Sequence, residues 1–266
     1  MKTLVLSDLH DDFWSDKGRD PFVACEDIVE GLEAIVLAGD VSNKPKVRWK
    51  YAFQRLRDRF GDIPIHVFPG NHDFYDWRLD DEDRLADFAA EFDVSYAQMQ
   101  SIILGETRLL CATLWTDLAL GPGYAVNAVH LPTRMNDYRY IRLARGGFRR
   151  VFPDDIRRVH ARHRGWLEEA LAQPFNGPTC VATHHAPHPG VLSKGLDKIE
   201  AGYASDLTDI LTGPHAPQEW LFGHCHEAVP LTIGSTRLSC ISLGYPFEIE
   251  TDDDIRLRIA RAIRHF

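Results

Sequence analysis

Residues 2–10 read KTLVLSDLH, a short apolar run that ends in a carboxylate and an imidazole two residues apart. Similar apolar runs lie at 34–37 and 65–68, and each of them is also followed by polar residues. Apolar runs of this length are typical of buried parallel strands. Helical patterns at 21–32 and 47–60 separate the three runs, so this part of the chain predicts a βαβαβ arrangement.

The rest of the chain continues as a mixture of helices and strands. The later predicted elements are a helix at 80–92, paired strands at 102–104 and 108–114, a helix at 153–172, a strand at 179–182, a helix at 204–211 and strands at 220–222, 229–233, 237–242 and 255–259. Residues 118–150 show no clean period and are predicted to form an irregular, lid-like insertion. We expect a single domain that spans residues 1–266.

The composition is that of a globular protein, with 44% hydrophobic and 26% charged residues in 266. No run of about 18 apolar residues occurs, so the sequence predicts no membrane span. The first apolar run is cut at Asp8 and is too short for an export signal. Five scattered cysteines without a Cys-x-x-Cys pair indicate neither a disulfide framework nor a zinc ribbon, and they favour a cytoplasmic protein.

The net charge of −9 argues against a nucleic-acid polymer as the partner, because such binding is built on phosphate neutralisation by lysine and arginine. Arginines are nevertheless concentrated between Arg134 and Arg164. We interpret most of this segment as a solvated helix face with its flanking loop. The alternative, that part of it meets an anionic substrate, stays open. The sequence does not predict the oligomeric state.

Five predicted strands are followed by side chains that can bind a metal. The clusters are Asp8-Leu9-His10, Gly39-Asp40, Gly70-Asn71-His72-Asp73, His184-His185 and Gly223-His224-Cys225-His226. Sites in open α/β sheets form beyond the carboxyl ends of the strands, so we expect these clusters to converge. Carboxylate, imidazole and amide oxygen suit divalent Mn, Fe, Co, Ni or Zn. One histidine after a strand is usually structural, whereas five clusters in this order predict a catalytic metal site.

These motifs resemble those of the calcineurin-like metallophosphoesterase superfamily over residues 8–226. The resemblance implies an α/β fold, a four-layer α-β-β-α sandwich of two mixed sheets flanked by helices. It implies two divalent metal ions, with manganese favoured. The first ion would be held by Asp8, His10, Asp40 and His226. The second would be held by Asp40, Asn71, His184 and His224. Asp40 would bridge the two ions.

The pair His184-His185 leaves an ambiguity, because successive residues of an extended chain point to opposite faces. The residues alone leave either histidine as the ligand, and the resemblance favours His184. His185 would then be a possible phosphate contact, and Tyr138 is a second candidate for substrate binding. For Tyr138, packing into the fold is the competing interpretation.

The resemblance also implies the reaction, in which a metal-bridging hydroxide attacks phosphorus in line. His72 would protonate the leaving alkoxide, and Asp73 would fix the tautomer of His72. The competing interpretations are that His72 merely orients other groups and that Asp73 caps a turn. The expected partner is a small phosphorylated substrate.

The sequence differs from the motifs of two known branches of the superfamily, which limits the branches to which it can belong. Asp40 is not followed by a segment ending in Asp-Arg-Gly, which argues against a protein phosphatase. His72 stands where lipid A precursor pyrophosphohydrolases carry arginine. We expect a small phosphodiester substrate of the cyclic nucleotide or glycerophosphodiester type. The alternatives are a phosphomonoesterase, a nucleotide pyrophosphohydrolase and, more remotely, a non-catalytic protein-binding scaffold.

Overall fold

The computed structural model describes residues 1–193 and 198–266. The strands are β1 (Lys2–Leu6), β2 (Ala34–Ala38), β3 (Ile65–Phe68), β4 (Val94–Tyr96), β5 (Gln100–Leu104), β6 (Thr107–Ala112), β7 (Thr179–Thr183), β8 (Glu219–Phe222), β9 (Leu231–Ile233), β10 (Thr236–Cys240) and β11 (Ile263–His265). The α-helices are α1 (Asp11–Asp16), α2 (Glu26–Val29), α3 (Pro45–Phe60), α4 (Asp83–Ala90), α5 (Tyr124–His130), α6 (Asp137–Tyr140), α7 (Pro153–Ala172), α8 (Thr208–Leu211) and α9 (Asp252–Ala262). Short 3₁₀ turns include Val23–Cys25, His72–Phe74 and Leu131–Thr133.

The strands of the described ranges form two mixed sheets. The first has the order β11-β1-β2-β3-β4, in which β1 to β4 are parallel and β11 is antiparallel. The second has the order β5-β6-β7-β8-β10-β9, in which the inner strands are parallel and both edge strands are antiparallel. The predicted fold class is confirmed.

The main hydrophobic core joins the two sheets. It contains Leu4 and Val36 from the first sheet together with Leu109 and Leu221 from the second. All five residues of β2 are buried, which explains why its sequence is uninterruptedly apolar. Each fully buried Leu or Val of this core contributes about 1.5–3 kcal/mol relative to an exposed one. The core therefore fixes the sheets against each other and with them the loops at their carboxyl ends.

The two sheets also meet directly at those carboxyl ends. The segment after β1 runs beside the segment after β10, with hydrogen bonds from Ser7 N to Ile241 O (3.0 Å), from Leu243 N to Ser7 O (2.9 Å) and from Gly244 N to Asp8 O (3.0 Å). This junction places the loop after β10 beside the loop that carries Asp8.

One predicted strand is wrong, and the predicted irregular segment contains short helices. Residues 255–259, predicted as a strand, lie inside α9. This helix begins at a capping box in which Thr251 and Asp254 bond each other's backbone nitrogens, and Ile255 and Ile259 are buried on one helix face. Residues 118–150, predicted as irregular, contain α5 and α6, which are seven and four residues long. Helices this short contain too few turns to show a helical period.

Among the described residues, no helix is both long and apolar enough to cross a membrane.

Candidate metal centre

The predicted metal ligands lie on sharp turns that follow the strands. Positive φ angles occur at Asp8 (55°), His10 (45°), Asp40 (56°), His224 (64°) and His226 (54°). A left-handed conformation costs residues other than glycine about 1–3 kcal/mol each and persists only where the surroundings determine it. Here the surroundings include hydrogen bonds from Asp8 N to Gly39 O (3.0 Å) and from His10 N to Asp40 O (2.9 Å).

Two glycines of the motifs allow these turns to approach each other. A Cβ atom at Gly70 would overlap Oδ1 of Asp40, and a Cβ atom at Gly223 would overlap Oγ of Ser7. Any other residue at either position would therefore displace a ligand or the strand end beside it. This is a packing reason for glycine in both motifs.

Asp8, His10 and His226 converge on one side of the centre, with ligand atoms within 4.8 Å of one another. Nε2 of His226 lies 3.3 Å from Oδ1 of Asp8 and 3.2 Å from Nε2 of His10. Oδ2 of Asp40 lies 3.8 Å from Nε2 of His10. The four side chains predicted for the first metal ion are thus brought together.

Asp40, His184 and His224 form the second group, again with ligand atoms within 4.8 Å of one another. Nε2 of His184 lies 3.4 Å from Oδ1 of Asp40 and 3.0 Å from Oδ1 of Asn71. Asp40 therefore directs one carboxylate oxygen to each group, an arrangement in which a carboxylate can bridge two cations.

The donor set fits two divalent cations. Oδ1 of Asp8, Oδ2 of Asp40 and Nε2 of His224 are buried and have no hydrogen-bond partner in the part of the chain that the structure describes. A buried polar atom without a partner is costly, so several of them in one cluster indicate a ligand that satisfies them together. Carboxylate, amide and imidazole donors are the ones that divalent transition metals accept.

The charges within the cluster are already arranged for cations. Burial opposes ionisation of Asp40, but the imidazoles of His184 and His72 outweigh it and hold the pKa of Asp40 well below its usual range. Burial and the nearby His184 lower the pKa of His224 to about 3, so this ring is neutral and offers a lone pair. Burial opposes protonation of His184 as well, yet Asp40 raises its pKa to about 9. A cation at Nε2 of His184 would replace that proton.

Ligand orientation depends on partners outside the two groups. Nδ1 of His226 lies 2.7 Å from Oε2 of Glu248. The amide nitrogen of Asn71 donates to Oδ1 of Asp137 at 2.8 Å, which leaves the carbonyl oxygen of Asn71 to face the cluster. Such contacts fix the tautomer of a histidine and the direction of an amide. The sequence analysis did not identify Glu248. Its position after a predicted strand and the turn at Gly244 was a signal, because the predicted ligands also follow strands.

Glu248→Gln is expected to weaken metal binding about 10–100-fold, because the partner that orients His226 loses its charge. The measurement is the affinity for Mn²⁺ by competition with a chelator. Glu250→Gln, an exposed change in the same loop, is the matched control. Unchanged affinity in Glu248→Gln, or an equal loss in both variants, would contradict the assignment.

His72 lies beside the cluster, where its ring is held at both nitrogens. Nδ1 lies 3.0 Å from Oδ1 of Asn43, and Nε2 lies 3.2 Å from the hydroxyl of Tyr245. The amide nitrogen of Asn43 donates to Oδ2 of Asp12 at 2.9 Å, so the amide oxygen is the atom that faces the ring. Nδ1 of His72 therefore carries a proton.

We expected Asp73 to fix the tautomer of His72, but the structure places Asn43 in that position. The Asp73 carboxylate instead accepts hydrogen bonds from the backbone nitrogens of Ser42 (3.1 Å) and Gly70 (2.9 Å) and from the Trp49 indole (2.8 Å). Burial, together with the nearby Asp40 carboxylate, raises the pKa of Asp73 to about 7. The side chain ties two ligand-bearing loops together.

The two predicted substrate contacts lie away from the open surface of the site. His184 faces the cluster, whereas His185 is buried behind it, with its ring 4.4 Å from that of His224. Tyr138 packs into the main core, and it is Tyr140, two residues later, that lines a cavity. That cavity, of about 540 Å³, opens beside His72.

Comparisons with known proteins identify the family and the fold of this chain. The family model of calcineurin-like phosphoesterases matches residues 1–228. Phosphopantetheinyl hydrolase from Mycobacterium tuberculosis is a similar solved structure, with a TM-score of 0.69 and 19% identity over 93% of this chain and 90% of that one. TT1561 of Thermus thermophilus is also similar, with a TM-score of 0.50 and 13% identity over 89% of this chain and 87% of that one. No curated protein matches the chain significantly.

At these identities the solved structures show the fold, whereas the family match extends over the motifs themselves. The matched range includes every predicted ligand from Asp8 to His226. The family uses a dinuclear divalent metal centre to hydrolyse phosphoesters, and the clustered aspartates and histidines of this chain suit that centre. The chain therefore belongs to the calcineurin-like phosphoesterase family and is a metal-dependent phosphoester hydrolase.

Proposed function

We propose that this protein hydrolyses a small phosphodiester of the cyclic nucleotide or glycerophosphodiester type. The observation that carries the proposal is the position of His72. Its ring lies 4.9 Å from that of the predicted ligand His10, its backbone nitrogen donates to Oδ1 of Asp40 at 2.8 Å, and its side chain lines the cavity. An alkoxide is a poor leaving group that needs a proton, and an imidazole between the cluster and the cavity is placed to supply it.

The side chains around His72 support this role. Because Asn43 accepts the proton of Nδ1, the other ring nitrogen is the one that can exchange a proton with a substrate. Nε2 lies 3.2 Å from the hydroxyl of Tyr245, and both side chains line the cavity. Two divalent cations, when bound by the ligand set, would stabilise the charge that develops on the phosphoryl oxygens.

The proposed metal ion and the proposed location are argued from the types of residue in the chain. We propose manganese as the resident ion, because the donors are carboxylate, amide and imidazole without thiolate. The five cysteines are free thiols, which favours the cytoplasm as the location. We propose that residues 1–266 form one domain and that the partner is a small phosphorylated molecule.

The test compares bis-p-nitrophenyl phosphate with p-nitrophenyl phosphate in the presence of Mn²⁺. We expect kcat/KM to be at least about ten-fold higher for the diester, a difference of about 1.4 kcal/mol in transition-state binding. The reason is that the cavity beside His72 has room for a second ester group. p-Nitrophenyl acetate is the control for esterase activity without phosphorus.

A strong preference for the monoester would overturn the proposal and favour the phosphomonoesterase alternative. Faster hydrolysis of nucleotide pyrophosphates would favour the pyrophosphohydrolase. No hydrolysis by the metal-loaded protein would favour the scaffold. A phosphopantetheinyl ester belongs in the same panel, because the Mycobacterium tuberculosis neighbour is named for that group.

A further inference from the structure

One wall of the cavity beside His72 is built from stacked rings. The Tyr245 ring stacks on that of His10, with centroids 4.2 Å apart and planes 24° apart. Phe247 stacks in turn on Tyr245, at 4.9 Å and 15°. Phe13 meets Tyr245 and Phe247 edge-on, at 4.9 Å and 6.4 Å. The rings thus form a series that begins at a predicted metal ligand and ends at Phe247.

The last ring of the series is open to solvent. Phe247 is 67% exposed, although it lines the cavity and lies beside other rings. Because Tyr245 covers one face of the ring and most of the residue is exposed, the opposite face is open. A planar ring stacked on that face would extend the series of stacked rings by one. Nucleobases stack on exposed aromatic side chains in this way, because every base has a π-face.

The charges on the cavity wall favour an uncharged group rather than a second phosphate. Arg48 pairs with Asp16 at 3.0 Å, and Lys44 pairs with Asp76 at 3.6 Å, so both cations are balanced. The amide of Asn136 also lines the cavity. An amide both donates and accepts hydrogen bonds, which matches the edge of a base.

We infer that this cavity binds the nucleobase of the substrate, with Phe247 as its stacking partner, and that the substrate is a nucleoside phosphodiester. The inference rests on the proposed function and selects between its two substrate types. The cavity of about 540 Å³ lies within the range of about 300–1,000 Å³ that small-molecule sites occupy.

The test measures binding of adenosine 5′-monophosphate and glycerol 3-phosphate to the Mn²⁺-loaded protein by calorimetry. Phe247→Ala is expected to weaken adenosine monophosphate binding about ten-fold and to leave glycerol phosphate binding unchanged. Phe247→Tyr keeps a ring and should restore binding. Phe148→Ala is the matched control, because Phe148 is a phenylalanine of similar exposure (57%) outside the cavity wall.

A kinetic experiment tests the same nucleobase site. Phe247→Ala should raise KM for 3′,5′-cyclic AMP about ten-fold with little change in kcat, while KM for the ring-free diester glycerophosphoglycerol stays constant. If no diester is hydrolysed but adenosine monophosphate binding still depends on Phe247, the proposed function fails and the nucleobase site stands.

Three results would overturn the inference. The first is equal affinity of the parent protein for adenosine monophosphate and glycerol phosphate. The second is an equal loss of affinity for both ligands in Phe247→Ala. The third is tighter binding of phosphocholine than of adenosine monophosphate, which would assign the rings to a quaternary ammonium group instead.

Discussion

Asp40→Asn is expected to remove nearly all bound metal and to lower kcat/KM at least about 1,000-fold, since metal ions supply several kcal/mol of charge stabilisation in such reactions. Asparagine keeps the shape of the side chain but loses the charge, and its amide nitrogen cannot bind a cation. Asp40 is the residue that directs an oxygen to both ligand groups. Metal content by mass spectrometry and turnover of bis-p-nitrophenyl phosphate are the two measurements.

Asp87→Asn is the matched control, because Asp87 is an exposed aspartate on α4 and should keep both properties. Thermal unfolding separates loss of ligands from loss of fold, since an unfolded Asp40→Asn protein would report on neither. A folded variant that retains its metal and its activity would reject the two-metal assignment.

His72→Ala is expected to lower kcat/KM for an alkyl phosphodiester about 10²–10⁴-fold, the usual contribution of a general acid. The loss for bis-p-nitrophenyl phosphate should be far smaller, because p-nitrophenolate leaves without a proton. The measurement is the ratio of the two losses on one preparation, which cancels errors in active-enzyme concentration. His215→Ala, at an exposed position in a turn, is the control.

An equal loss on both substrates would reject the acid role and leave His72 as a residue that positions other groups. Its contacts with Asn43 and Tyr245 would then serve the geometry of the cluster rather than proton transfer.

The ligand set could be predicted because its signal is local. Strands β1, β2, β3, β7 and β8 are short apolar runs, and each is followed within a few residues by a polar cluster. The convergence of the five clusters follows from the rule that such sites form at carboxyl strand ends. Alternation along a strand shows that His184 and His185 face opposite sides, but it does not show which of them faces the cluster.

The residues around the ligands could not be predicted, because their roles depend on contacts distant in sequence. Asn43, in the loop after β2, and Asp12, in α1, orient His72, and Glu248 reaches His226 from the turn after β10. None of them belongs to a motif. The error at α9 has a local origin instead, because the alternation of Ile255, Leu257 and Ile259 fits a strand unless the cap at Thr251 is considered.

The left-handed turns at the ligands have a consequence for how such a protein changes over generations. At His10 or His226, glycine would relieve about 1–2 kcal/mol of backbone strain but would remove a donor. Selection for thermal stability alone would therefore favour replacement of the ligands by glycine. The result would be a well-folded chain that cannot bind the metal ions. The left-handed turns thus place donor atoms in the cluster while they lower the stability of the fold.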